Sequence, residues 1–274
     1  MKKNVRAMTE CSIMIALSTV LSLIKLAELP YGGSVTIASM LPIAIAVFRH
    51  GGAWGFATAL VNAFIQMLLG LNNFSYFTTW QSILALAIFD YVLAFAVFSL
   101  SGIFKKVIKN QGVAITLGVL LASILRYACH VISGATVWAG LSIPDEAALL
   151  YSFSYNATYM IPETLVLALC TLYVCSVIDF TKKTPVRVAS NLDKTSVLCY
   201  IGAGFSLLVG LIIDIATVFP TLQDPKSGEF IFGNIANANF TLVAIASSVC
   251  VAVSAILVIF AVVRAKTKKN STEC

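Results

Sequence analysis

Long apolar runs separated by short polar clusters set the pattern of this chain. The runs predict helices over residues 9–26, 36–48, 54–69, 80–104, 113–139, 155–178, 196–219 and 240–263. Most approach the roughly 20 residues that a helix needs to cross the hydrocarbon core of a bilayer. A loop with Pro30-Tyr-Gly-Gly-Ser34 separates the first two, and the shorter second run contains Pro42. The pattern predicts an all-α, polytopic membrane bundle of eight helices.

The polar clusters orient it. With the N-terminus inside, the inner segments hold 15 of the 18 basic residues: Lys2, Lys3 and Arg6; Arg49; Lys105, Lys106 and Lys109; Lys182, Lys183, Arg187 and Lys194; Arg264, Lys266, Lys268 and Lys269. The outer loops carry Asp145, Glu146, Asp224 and Glu229, with Lys226 as their one basic residue and Lys25 near an outer helix end. An N-in, C-in topology therefore obeys the positive-inside rule at each turn. Lys2, Lys3 and Arg6 precede an apolar run that no A-x-A-like site closes, which reads as a retained first helix rather than a leader.

Composition agrees: 59% of the residues are hydrophobic and only 11% charged, against about a quarter charged in soluble domains. The net charge of +6 belongs to membrane orientation, so nucleic acid is excluded as a partner and the lipid bilayer is the expected surroundings. The seven cysteines form no CxxC pair and no metal-ligand cluster, and read as small buried hydrophobes. No HExxH, G-x-S-x-G or phosphate loop is present, so catalytic residues, cofactors and bound metals are all expected to be none.

The chemistry lies in polar groups inside the apolar runs. Arg126, His130, Gly134 and Trp138 recur at a spacing of four, which stacks them on one helix face. Asp90 stands in an otherwise apolar run, where an ionised carboxylate must face protein or water. Two readings of Asp90 stand at this stage: a pairing with Arg126 or a helix-packing contact, and a counter-ion for a cationic substrate or a proton carrier. Taken singly, His130 reads as a core histidine, Trp80, Trp138 and Tyr151 as interfacial aromatics, and Asn156 as a helix cap. Together the topology gathers Trp80, Trp138, Tyr151 and Asn156 near the outer surface, with Gly33 and Ser34 in the first outer loop. Asp90 lies roughly 15 Å and His130 roughly 12 Å deeper. That set suits a flat heteroaromatic cation, held by stacking and cation–π contacts and balanced by Asp90. Arg126 reads as a structural residue, and Glu163 as a further group facing the interior. Ser12-Ile-Met-Ile-Ala16 is a small-xxx-small pattern, open between internal packing and a partner interface.

Residues Leu125-Arg-Tyr-Ala-Cys-His-Val-Ile-Ser-Gly134 with Trp138, Tyr151-Ser-Phe-Ser-Tyr-Asn-Ala-Thr-Tyr-Met-Ile-Pro162, Gly32-Gly-Ser-Val-Thr36, Leu41-Pro42, Phe48-Arg49 and Asp90-Tyr91 carry a resemblance. The chain resembles the ThiT family, the thiamine-specific substrate-binding subunits (S components) of energy-coupling factor transporters. The resemblance covers roughly residues 5–182 and implies a six-helix core that captures thiamine from outside in a bacterial cell membrane. It implies a membrane coupling protein and two ATPase subunits as partners. It places ligand contacts on Asp90, Tyr91, His130, Trp138, Tyr151 and Asn156, and the face toward the coupling protein on Ser12 and Ala16. Some members carry Glu at the Asp90 position, tryptophan at Gly33 and alanine at Ser12. The chain is thus expected to divide into a substrate-binding domain at 1–182, a cytoplasmic linker at 183–194, and two additional helices with a basic tail at 195–274. The function expected is thiamine capture without enzymatic activity. Capture of a precursor such as hydroxymethylpyrimidine, and a stand-alone proton-coupled carrier, are the alternatives.

Overall fold

The computed structural model describes residues 2–29, 32–138, 148–188, 194–222 and 232–272. The outer-loop charges Asp145, Glu146, Asp224, Lys226 and Glu229 lie outside the described residues. Among the described residues, seven helices are long and apolar enough to span a membrane, and Leu41–His50 is a shorter apolar one. The chain divides into two compact units, Met1–Val188 and Ala189–Cys274.

In the first unit, α1 (Lys2–Leu23) leads into an antiparallel hairpin of β1 (Lys25–Glu28) and β2 (Ser34–Thr36). Then come α2 (Leu41–His50), α3 (Gly52–Leu69) and a 3-10 turn at Leu71–Tyr76. Helix α2 is buried from Leu41 through Phe48. Its Leu-Pro-Ile-Ala-Ile-Ala-Val-Phe sequence is apolar on every side, as an enclosed helix must be. Pro42 falls in its first turn, where the missing N–H costs nothing, so the helix starts at Leu41 rather than at the expected Thr36. Gly51 and Gly52, at φ 54° and 47°, join α2 to α3 without a loop, a conformation that costs glycine little. Helix α1 holds α3 through polar pairs: Ser18 donates to Asn62 at 3.0 Å and Gln66 to Ser22 at 3.1 Å. Such pairs join helices where apolar contact alone gives no preference over lipid.

The next apolar span, Trp80–Lys106, is not the continuous α-helix expected. It runs as α4 (Trp80–Leu86), a π-helical segment (Ala87–Leu93), α5 (Ala94–Ala96) and 3-10 turns at Val97–Leu100 and Ile103–Lys106. Helices α6 (Gln111–Thr136) and α7 (Ala148–Val177) complete the bundle, followed by the short hairpin β3 (Ile178–Asp179) and β4 (Val186–Arg187). Helix α7 begins seven residues before the expected Tyr155, so Tyr151 and Asn156 are interior helical residues.

One end of this unit is basic. Arg49 donates to Glu10 at 2.9 Å and to the carbonyls of Phe180, Lys182 and Lys183 at 2.9, 3.1 and 3.0 Å. Arg6 donates to Glu10 at 2.8 Å and also to the Lys183 carbonyl. Lys105 donates to the Phe48 carbonyl at 2.6 Å. These cations satisfy backbone acceptors that the end of α2 and the segment after α7 leave open, at the end that the positive-inside rule assigns to the cytoplasm. Beside them, the exposed Asp179 carboxyl is held below its usual range by the hydroxyl and amide of Thr181.

The second unit is an antiparallel pair, α8 (Lys194–Val218) and α9 (Phe240–Thr272), with 3-10 turns at Phe219–Leu222 and Phe232–Asn237. Gly202, Ser206, Gly210 and Asp214 recur every four residues along α8. Ser206 donates to the Cys250 carbonyl at 3.0 Å, and Ser247 of α9 donates to Asp214 at 2.5 Å. Asp214 is therefore a contact within this helix pair.

Candidate functional site

A cavity of about 710 Å³ opens in the first unit between the β1–β2 hairpin, the end of α3, the π-helical segment, α6 and α7. That volume falls in the range of small-molecule sites. The π-helical segment brings Asp90 and Tyr91 to it. A π-turn is wider than an α-turn and re-aims the side chains it carries, which is why such turns gather at functional sites. Tyr91 donates to the Gly70 carbonyl at 3.0 Å, accepts from Asn73 at 3.0 Å and stacks on Phe74 at 5.6 Å. It is thereby fixed in the wall.

Helices α6 and α7 each present a stripe with a spacing of four. On α6 and just beyond it stand Arg126, His130, Gly134 and Trp138; on α7 stand Tyr151, Tyr155, Tyr159 and Glu163. The helices approach closely at Gly134, where an added Cβ would sit 2.9 Å from the Ser152 Cβ. Asn156 does not cap a helix. It is buried, donates to the carbonyls of Ser152 at 2.8 Å and His130 at 3.3 Å, and accepts from the Tyr159 hydroxyl at 2.6 Å. Tyr151 and Tyr155 stack at 5.9 Å with a 10° angle between planes.

The electrostatics centre on Asp90. One carboxylate oxygen lies 3.0 Å from His130 Nδ1, and the other accepts from Trp138 Nε1 at 3.0 Å. Arg126 Nε donates to His130 Nε2 at 3.3 Å. A guanidinium can only donate, so Nε2 is the unprotonated nitrogen. In that tautomer Nδ1 carries the hydrogen and donates to Asp90. Arg126 lies over the Phe95 ring at 4.3 Å and reaches Glu163 at 3.9 Å. The pairing of Arg126 with Asp90 expected as one reading is not formed; Glu163 of α7 takes that place. Glu163 is 5% exposed and accepts from the Thr36 amide at 2.7 Å and the Thr36 hydroxyl at 2.9 Å. At the rim, Lys25 and Glu28 cancel one another at 2.5 Å. Two carboxyl groups, Asp90 and Glu163, thus share the cavity with one guanidinium and one imidazole.

Asp90, Tyr91, His130, Trp138, Tyr151, Asn156, Gly33 and Ser34 all line this cavity. Trp80 does not; it is 69% exposed, so its placement at a helix start reflects position along the chain and not the cavity. Ser12 and Ala16 lie on the exposed face of α1, apart from the cavity. Gly33 packs where an added Cβ would fall 2.7 Å from the Tyr159 ring and 3.0 Å from the Tyr155 hydroxyl. The aromatic surface beside Gly33 is therefore supplied by α7. Tyr76 and Phe77 meet Trp138 with ring centroids 5.8 and 4.9 Å away. Tyr155 and Tyr159 did not enter the sequence reading as site residues. Their spacing of four from Tyr151 was the available signal, hidden by starting the helix too late.

Residues 8–183 match the family model described as thiamine transporter protein (Thia_YuaJ). The chain is 34% identical to the thiamine transporter ThiT of Bacillus subtilis (strain 168) over 185 residues, covering 63% of this chain and 92% of the relative. Its fold is similar to the solved structure of ThiT from Listeria monocytogenes, with a TM-score of 0.52, 23% identity, and 63% of this chain and 94% of that chain covered. With seven candidate membrane spans among the described residues and a family match over more than half its length, this multi-pass membrane protein belongs to the thiamine transporter protein family.

Proposed function

We propose that this protein is the substrate-binding membrane subunit of an energy-coupling factor transporter. It captures thiamine at the cavity, for uptake driven by a separate coupling protein and two ATPase subunits. The observation that carries this reading is the cavity built between aromatic faces, with the Asp90 carboxylate set into its wall by His130 and Trp138 and without a guanidinium or ammonium partner. Thiamine is a flat pyrimidine joined to a permanently cationic thiazolium. Trp138, Tyr151 and Tyr155 offer ring faces for stacking and cation–π contact. Asp90 supplies the counter-charge, and neighbouring hydrogen-bonding groups fix orientation. The name of the Bacillus relative supports the same ligand. The work is binding and transfer, without bond chemistry.

Separate energising subunits are supported by the lack of a nucleotide-binding loop in the sequence and by the small residues Ser12 and Ala16 on an exposed face of α1. Small side chains let a second helix approach closely. Ser12→Leu is therefore expected to leave thiamine binding within about twofold and to reduce uptake by about tenfold or more, since one bulky side chain at a close helix contact costs about 1–3 kcal/mol. Proteoliposomes holding the chain with coupling and ATPase subunits are expected to accumulate thiamine only with ATP. Uptake by this chain alone under a proton gradient would replace this reading with a self-sufficient carrier.

A further inference from the structure

The buried Glu163 and the half-buried Asp90 and Arg126 share the cavity, and they are not paired as ligand-free electrostatics would first suggest. Asp90 is connected to Arg126 through one imidazole, yet the guanidinium is directed to Glu163 at 3.9 Å and Asp90 keeps His130 and Trp138 as its partners. A guanidinium in a low-dielectric site must find a carboxylate. Were Asp90 that carboxylate, an incoming cation would have to displace an internal ion pair before gaining its own.

We propose that Glu163 is a positioning residue that holds the Arg126 charge so that Asp90 stays available to a cationic ligand. The same carboxylate takes the amide and hydroxyl of Thr36. It thereby also fixes strand β2, which carries Ser34 beside Gly33 in the cavity wall. One side chain thus sets both the charge balance and one wall. The Phe95 ring under Arg126 at 4.3 Å confines the guanidinium from the other side. The inference rests on the reading of the cavity as a thiamine site.

Calorimetric titration of detergent-solubilised protein with thiamine, and with uncharged hydroxymethylpyrimidine as a neutral probe, separates the two roles. Glu163→Gln frees Arg126 to pair with Asp90. Thiamine affinity is expected to fall tenfold or more, and affinity for the neutral probe by less than about threefold. The double variant Arg126→Gln with Glu163→Gln removes the competing guanidinium together with the carboxyl that holds it. It is expected to bind thiamine within about threefold of the unmodified chain. Thr36→Val removes the hydroxyl but leaves the charges, and should weaken both ligands equally. Equal loss of both ligands in Glu163→Gln, or no recovery in the double variant, overturns the inference. If Glu163→Gln does not fold, recovery in the double variant and the equal losses in Thr36→Val still decide it. Failure of the unmodified chain to bind thiamine would overturn the functional reading instead.

Discussion

Asp90→Asn is expected to weaken thiamine binding about 100-fold, while binding of neutral hydroxymethylpyrimidine changes by less than about threefold. Replacing the carboxylate by an amide leaves shape nearly unchanged and removes a cavity charge that no guanidinium or ammonium group contacts. Truncating one partner of a desolvated charge pair costs about 2–5 kcal/mol, and about 3 kcal/mol corresponds to a hundredfold. The amide also places an N–H₂ against a donor, since both His130 Nδ1 and Trp138 Nε1 donate to this side chain. Calorimetry with both ligands reads the effect. Equal losses would mean that Asp90 holds the wall together and balances no ligand charge.

Gly118→Val is expected to prevent stable assembly of the bundle, with a loss of about 3 kcal/mol or more. An added Cβ at Gly118 would run into the Ser101 backbone, including its Cα at 2.9 Å. Backbone atoms cannot move aside as a flexible side chain can. Helix α6 would have to withdraw from the segment after α5, carrying Arg126, His130 and Trp138 away from Asp90. Thermal unfolding in detergent should show a melting temperature lower by several degrees, with thiamine binding lost in step. Unchanged stability would mean that α6 tolerates a wider spacing than the close contact at Gly118 implies.

Much of the bundle was legible because bilayer physics writes it plainly: apolar length marks the spans and basic clusters mark the inner ends. The breaks in the Trp80–Lys106 span were not legible, since its apolar run carries neither proline nor a cap at Ala87. The π-turn arises from packing against α3 and α6 and not from local propensity. The β1–β2 hairpin escaped because its strands are only four and three residues long, too short for a period of two to register. In the site, the α6 stripe was readable from spacing, and Asp90 from the rarity of acids in apolar runs. Two assignments failed for one reason. Trp80 was drawn in, and Arg126 was offered to Asp90, because sequence gives depth along a helix but not which face turns inward. The ladder Tyr151–Tyr155–Tyr159–Glu163 became visible only once α7 was seen to begin at Ala148. The helix pair α8–α9 lies beyond the matched residues 8–183, and its seam of small residues accounts for its own packing.

The central claim is that the cavity of the first unit is a site for a heteroaromatic cation, with Asp90 as its counter-charge. Titration of the unmodified, solubilised chain with thiamine tests it most directly, read by heat and by quenching of Trp138 among the three tryptophans. The account predicts one site per chain and a Kd below ~1 μM, or about −8 kcal/mol or better. Absence of heat and of quenching up to millimolar thiamine would contradict it.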